Sequence, residues 1–405
     1  MEYEKFMKTI AILLAGCIAV SLNAGELTMM LTNREPYRRT EVIEIDAGGI
    51  MRMAGIARPE KIMVKGPDGK EVASQITHDG LLLIDASLPP DSAVCYTVTE
   101  GTPGQFPVWC SGNQYPFRKD DFAWENDLIA FRIYGPALRK SGEKSYGTDV
   151  WVKNTPEPVV AKRYEGYRTD RANNSFHKDN GNGLDAYAVG PTLGCGAPAL
   201  MDGDSIAFPY CYENYKILDN GPLRMTVEFD YPPVNVFGET GVVEHRRLTL
   251  DKGSHFCRQD VWYDGLKHPH RLIAGVVIHS ADTTNIVLGD RYVHYADPTD
   301  RPGKHKFKIF VATLFPRKIR TEIVRSGLSK GVVGHAVGIY DNYKGEQFTY
   351  YFGSAWSKYD VPTHEDWHKC IENFLSRKKV HIEIIRGLKK SLNRYSTFDS
   401  YLCLH

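Results

Sequence analysis

The property that most narrows what this chain can fold into is alternation. Residues 128–134, 223–231, 242–250, 256–263, 272–279, 307–315 and 347–352 mostly place apolar and polar side chains by turns. Successive strand residues point to opposite faces, so each run has one dry and one wet face. That is the pattern of antiparallel sheets. No helical rhythm separates these runs and no glycine-rich loop follows one, so dinucleotide and phosphate-loop chemistry are excluded and no nucleotide partner is expected. No self-similarity at a period of about 20 to 50 residues is visible, which argues against propellers and solenoids.

The chain divides into segments. Residues 1–24 read as a signal peptide: Lys5 and Lys8, an apolar run over 9–22, then Leu22-Asn23-Ala24 as a small-residue cleavage site. The run is too short for a membrane-spanning helix, so no stable membrane span is expected. Leu14-Ala15-Gly16-Cys17 also matches a lipobox, but Ile18-Ala19-Val20 stay apolar beyond Cys17. Cleavage after Ala24 is therefore favoured over a lipid anchor, and the protein is expected to be periplasmic or secreted. Residues 25–105 read as an N-terminal β region of short strands at 41–46, 61–65, 81–85 and 93–98. Gly101 to Pro107 reads as a linker and 110–388 as the main β domain. One helix is expected near the end. Thr363 and Asp366 form a box-like start, and Trp367, Cys370, Ile371, Phe374 and Leu375 make one apolar stripe. A last strand is expected over 380–385, and 389–405 should be a disordered tail.

Net charge is +1 and no basic block stands out, so nucleic acid is not an expected partner. Of eight cysteines, seven follow Ala24: Cys95, Cys110, Cys195, Cys211, Cys257, Cys370 and Cys403. An odd number without C-x-x-C spacing argues against a disulfide framework or zinc site. A Cys195–Cys211 bridge is the one pairing considered.

Against this strand-rich background, residues 173–187 are conspicuous. Within fifteen residues, Asn173 to Tyr187, stand one imidazole, two carboxylates, one phenol and several amides, with glycines between. His177, Asp179 and Tyr187 are three different acid/base types, and a rigid β scaffold presenting such a loop suits catalysis. A solvated Asn/Gly turn is the plainer alternative.

Two further groups of residues suggest a family. Trp124-Glu125-Asn126-Asp127 on through Arg132 to Leu138, and the consecutive strands from His245 to Tyr263, resemble galactose-mutarotase-like supersandwiches. Adding Gly147 to Trp151, Phe176 to Asp179, Gly183 to Tyr187, Gly221 to Arg224 and Tyr350 to Tyr359, the chain resembles the domain-of-unknown-function family 4861 over roughly residues 30 to 385. The resemblance implies a mainly β, antiparallel supersandwich with a small N-terminal β region and one C-terminal helix. It also implies a secreted protein of polysaccharide-degrading bacteria, found beside enzymes that act on uronic-acid-containing glycans. It implies no catalytic residue. The tail after residue 388 departs from the pattern.

An oligosaccharide or polysaccharide is thus the expected partner, and three chemistries are open. A mutarotase-type epimerase needs a His acid and a carboxylate base, for which His177 with Glu213 or Glu125 could serve, but the family's His and Glu motifs are not matched. A uronate lyase needs a carboxylate anchor, a base and an acid. Arg132 or Arg246 could anchor, His177 could be the base and Tyr187 the acid. Arg246 and Arg247 are neighbours on one strand, so only one of them can face a cleft. A glycoside hydrolase needs two carboxylates about 5 to 10 Å apart, which Asp179, Asp185, Glu213 or Asp149 could supply. Asp179, Asn182 and Asp185 also offer oxygens that would suit Ca²⁺, though not as an EF-hand, and no metal site is assigned. His268-Pro269-His270 is a weak two-His pair, and His279 and His335 read as core histidines. Trp356, with Tyr350, Tyr351 and Tyr359, could stack on sugar beyond a strand break at Gly353-Ser354. The expectation is a uronate-directed lyase or hydrolase with His177, Asp179, Asp185 and Tyr187 catalytic. Arg132, Glu125, Arg246, Glu213 and Trp356 would bind substrate. A non-catalytic glycan-binding module on the same fold is the rival.

Overall fold

Alternation becomes sheet along nearly the whole chain. In a computed structural model, residues 26–325 and 328–386 are described, so the expected signal peptide and the expected disordered tail over 389–405 lie outside the described residues. The chain forms two units. Among the described residues, one holds 26–107 together with 377–386, and the other runs from Val108 to Ser376.

The first unit is a small sandwich. Glu26–Asn33 lies between His381–Arg386 and Ser92–Glu100, with Ile62–Lys65 beyond, and a three-stranded sheet of Arg39–Asp46, Leu81–Leu88 and Ser74–Ile76 completes it. Leu27, Met29, Leu31, Ile43, Ile84, Tyr96 and Val98 fill the core. The last strand therefore pairs with the first, Met29 opposite Ile384, instead of ending a 110–388 domain. This unit also contains a helix, Ala47–Ala54, where only strands were expected. Asp46 accepts hydrogen bonds from Gly48 N and Gly49 N, so a side-chain cap starts a helix on two poor helix formers.

The second unit is an antiparallel supersandwich. Its largest sheet has nine strands. Eight run in the order Asn214–Asn220, Arg224–Asp230, Glu239–Asp251, Phe256–Asp264, Phe348–Trp356, Ile309–Leu314, Tyr292–Asp297 and Ile286–Leu288, and Val234–Val236 pairs with Glu239–Asp251. Two five-stranded sheets share its core. One is Gly183–Asp185, Asp149–Lys153, Ile129–Ile133, Asp121–Glu125 and Ser111–Tyr115. The other is Ser205–Ala207, Cys195–Asp202, His270–Ile278, Gly334–Tyr343 and Arg320–Val324. Phe122, Trp124, Phe131, Val152, Leu200, Val276, Leu248, Val311, Tyr350 and Phe352 meet in one apolar cluster drawn from all three sheets. The fold is thus mainly β and antiparallel.

Two helices cover outer sheet faces. His364–Ser376 packs Trp367 and Ile371 against Phe256, Phe310 and Leu314, as its stripe predicts. Val160–Thr169 covers the first five-stranded sheet with Val160 and Tyr164. A short helix, Pro136–Lys140, adds to these, so the expectation of one helix is corrected. No helix among the described residues is long and apolar enough to cross a membrane. Phe348–Trp356 runs unbroken through Gly353-Ser354, against the expected strand break. A Cβ at Gly353 would come within 2.4 Å of Phe256, so the glycine admits a close neighbour rather than ending the strand. Cys195 and Cys211 are free thiols, so the considered bridge does not form.

Candidate functional site

The period of two sorts the first five-stranded sheet into two unlike faces. Phe122, Trp124, Phe131, Ile133, Val150, Val152 and Leu184 face the main core. Asp121, Ala123, Glu125, Ala130, Arg132, Asp149, Trp151, Lys153 and Asp185 occupy the alternate positions. Register aligns them, with Asp149 opposite Arg132 and Trp151 opposite Asp185. The helix Val160–Thr169 then closes over this polar face, with Tyr164 stacked on Trp151 at 4.9 Å.

The result is one guanidinium ringed by three buried carboxyls. Arg132 is 4% exposed and lies 2.5 Å from Asp149, 3.0 Å from Asp185 and 3.4 Å from Asp121. Its carbon lies 5.1 Å from the Trp151 ring centre and 5.5 Å from that of Phe176. Tyr164 donates its hydroxyl to Asp121 at 3.0 Å. Three carboxylates against one cation would leave an excess of buried negative charge, which is costly. Burial accordingly raises all three carboxyls despite the nearby Arg132, Asp121 to about 6, Asp149 to about 7 and Asp185 to about 6. The cluster holds exchangeable protons near neutrality.

His177 sits at the edge of this cluster. Phe176 anchors the loop by stacking on Tyr167 at 4.4 Å, and its carbonyl accepts the Asp185 N–H at 2.8 Å. The next side chain, His177, is half exposed. Its Nδ1 lies 3.2 Å from the Asp185 carbonyl oxygen and 3.5 Å from the Asp185 carboxylate. A carbonyl oxygen only accepts, so Nδ1 carries the hydrogen and Nε2 is the basic nitrogen of the neutral ring. Burial, helped by Arg132, lowers the imidazole below its ordinary value, while the Asp185 carbonyl opposes that shift. Gly183 lets the strand Gly183–Asp185 come close against Asp149–Lys153. It has a φ of +99°, and a Cβ there would lie 2.0 Å from the Val152 carbonyl oxygen.

A second dyad adjoins the same strand. His279 Nδ1 lies 2.6 Å from the carboxylate of fully buried Asp297, and its ring packs edge-on to Tyr187 with centroids 5.9 Å apart. Asp297 also accepts the N–H of Thr299 at 2.7 Å, and Asp300 N–H donates to the Ala186 carbonyl at 2.9 Å. Thr299 has a φ of +75°, a strained conformation for a β-branched residue. Beyond it the loop carries Arg301, Lys304, His305, Lys306 and Lys308, of which Arg301, Lys304 and Lys306 are exposed.

The expected site residues therefore scatter. Arg132, Asp185 and His177 come together, and Asp149 joins them. Arg132 is no carboxylate anchor, because its three carboxyl neighbours occupy it and burial seals it. Asp179 serves the loop. Its Oδ1 accepts from Gly181 and Gly183 N–H, and its Oδ2 pairs with Lys358 at 2.5 Å. With Asp179 held by Lys358 and Asp185 by Arg132, the loop does not gather oxygens for Ca²⁺. Among the described residues no group of three or more His, Cys, Asp or Glu is placed to hold a metal. Tyr187 is buried with its hydroxyl unpartnered, so it does not face substrate as a free acid. Glu125 is buried and structural, since it accepts from Val159 and Val160 N–H and pairs with Lys153. Glu213 pairs with Arg139. Arg246 is buried beside Glu244. Trp356 is buried, but it meets Phe307 edge-on and carries the Lys358 ammonium 5.2 Å from its ring centre. His268 and His270 both turn to Glu239 Oε1. Sequence reading missed His279 and the basic loop. The His279 pairing was hidden because Asp297 lies on a different strand, whereas Arg301 to Lys308 was legible as four cations and a histidine within eight residues.

Comparison with known proteins adds a fold and a family. The chain is similar to a solved structure of a protein in glycosyl hydrolase family 38 from Enterococcus faecalis, with a TM-score of 0.50, 10% identity and 90% of this chain covered. It spans 48% of that chain, about half. An α-mannosidase structure from the same organism gives a TM-score of 0.48 at 10% identity, with 90% of this chain and 46% of that one covered. Among curated sequences it is 25% identical over 374 residues to "Uncharacterized protein P7" of Formosa agariphila, covering 86% of this chain and 90% of that one. The family model described as "Domain of unknown function (DUF4861)" matches residues 31–384, which takes in both units and every residue of the Arg132–His177 cluster. The chain belongs to the DUF4861 family.

Proposed function

We propose that this protein is an exported, carbohydrate-active enzyme that cleaves a uronic-acid-bearing glycan by β-elimination. One observation carries the reading. A half-exposed imidazole has Nδ1 held by the Asp185 carbonyl, which leaves Nε2 as the base, and it stands over a buried Arg132–Asp149–Asp185–Asp121 cluster that can balance a transferred proton. The exposed cations from Arg301 to Lys308 take the carboxylate-binding role expected of Arg132, since a basic loop favours an anionic sugar. Hydrolysis is less well served, because the two carboxylates of the 173–187 loop are committed to Lys358 and Arg132. In the proposed step His177 Nε2 takes the C5 proton and the C4–O bond breaks. A C4=C5 double bond forms, and His279, oriented by Asp297, gives a proton to the leaving oxygen. The structural likeness to glycosyl hydrolase family 38 supports a sugar-related setting for the fold and carries no detail of this chemistry.

The test is ultraviolet absorbance of the conjugated uronate double bond, with released sugars assayed in parallel. His177→Ala should lower turnover by about 10² or more, the usual worth of a general base, while calorimetry still shows binding. Sugar release without new absorbance would replace elimination by hydrolysis. Binding without turnover in the wild type would leave a glycan-binding module.

A further inference from the structure

We propose that the second unit carries another carbohydrate subsite, for one neutral pyranose ring, in the cavity beside Glu244. This rests on the glycan reading above but uses none of its residues. The cavity encloses about 260 Å³, just under the ~300 Å³ at which small-molecule sites begin, so it admits one ring and not a chain. Its walls come from Phe208, Tyr210, Tyr231 and Tyr263, with Pro209 and Pro232 among them. Such rings bury the apolar C–H faces of a sugar.

The polar side of the cavity is specific. Glu244 is buried and lines the cavity. One of its oxygens accepts the Tyr263 hydroxyl at 2.7 Å, and the other takes the Nε–H of Arg246. Arg246 lies behind this wall with its guanidinium carbon 4.4 Å from the Tyr231 ring centre, and its buried Nη2 has no hydrogen-bond partner. Glu244 thus offers the cavity a carboxylate with lone pairs to spare, and Arg246, which does not line the cavity, neutralises its charge from behind. An anion would be repelled by the carboxylate oxygens, and a cation would find their charge already paired. A pyranose hydroxyl donates to the carboxylate without adding charge.

Val234 lines the cavity and is exposed, so a bulky residue there can block it without disturbing the core. The experiment is saturation-transfer NMR on the full chain with methyl β-glucopyranoside, methyl α-mannopyranoside and methyl β-glucuronoside. A neutral glycoside should receive saturation from the wild type. It should bind about ten-fold more weakly, a loss of ~1.4 kcal/mol, to both Val234→Trp and Glu244→Gln, with uronate turnover retained. Equal signals from wild type and Val234→Trp would overturn the subsite, as would a glucuronoside that competes for it equally well. The two proposals fail separately. Absent uronate turnover with an intact, Val234-dependent neutral signal sinks the lyase and leaves the subsite.

Discussion

Arg132 shows how one side chain can be read correctly for type and wrongly for role. A guanidinium on an alternating strand can face a cleft or a closed polar layer, and the local pattern is the same for both. What decides between them is the register that brings Asp149 and Asp185 beside it and the helix that shuts over them. Neither is visible at position 132. The cluster makes stability depend on pH, with a definite sign. Asp121, Asp149 and Asp185 hold protons more tightly in the folded chain than in the unfolded one, where carboxyls titrate near ~4. Between about 4 and about 7 the folded state binds more protons, so this contribution to stability falls as pH rises through that window and is level outside it. Arg132→Ala removes the one cation. It should cost about 3 to 5 kcal/mol above about pH 8, where the carboxyls are ionised, and clearly less near pH 5, where they can be neutral. Thermal melts of both proteins at the two pH values check this. An equal loss at both would mean that Arg132 acts by packing alone.

The helices divide by where their information lies. His364–Ser376 was legible because its stripe repeats on a helical period and its start is capped by its own Thr363, whose hydroxyl takes the Asp366 N–H at 3.1 Å. Val160–Thr169 has no such stripe and no cap from its own first residues. Its N-terminal N–H groups at Val159 and Val160 are accepted by Glu125, 35 positions upstream from Val160. A helix begun by a carboxylate from another strand cannot be seen in a local window, and this is why Glu125 looked like a ligand for sugar. The carboxylate complements the helix dipole and neutralises buried Lys153 at 2.8 Å. Glu125→Ala should destabilise the second unit by about 3 to 5 kcal/mol, because it strands a buried ammonium. Adding Lys153→Met should recover much of that loss. Denaturant titration of the single and double variants decides the matter. A double variant no more stable than Glu125→Ala would show that capping, and not the ion pair, sets the cost.

At the level of the whole chain the first and last described strands meet. The first described strand, Glu26–Asn33, pairs with the last, His381–Arg386, and everything from Val108 to Ser376 is inserted between two parts of one small unit. The sequence disclosed the last strand, expected over 380–385, but neither the strand Glu26–Asn33 nor the pairing of the two. Pairing at a separation of some 350 residues leaves no local signature, and the run after the helix looked like a continuation of the larger domain. The family match over residues 31–384 runs from within the first of these strands to within the last, so it spans the complete insertion and its frame. The C-terminal strand packs Ile382 and Ile384 against the core of the first unit, and Val380 just before it does the same. Ending the chain at Ser376 removes these half-buried side chains and six paired positions. At about 1 to 2 kcal/mol for each partly buried aliphatic group, the loss is several kcal/mol, comparable to the whole stability of a small domain. Hydrogen exchange should then rise sharply in Glu26–Asn33 and Ser92–Glu100 and stay slow in Phe348–Trp356, which belongs to the inserted unit. Uronate turnover should persist in the same sample, since every residue assigned to it lies between Asp121 and Lys358. Loss of protection in both units together would mean that the frame and the insertion fold as one cooperative body, and that the small unit stabilises the larger one rather than merely enclosing it in sequence.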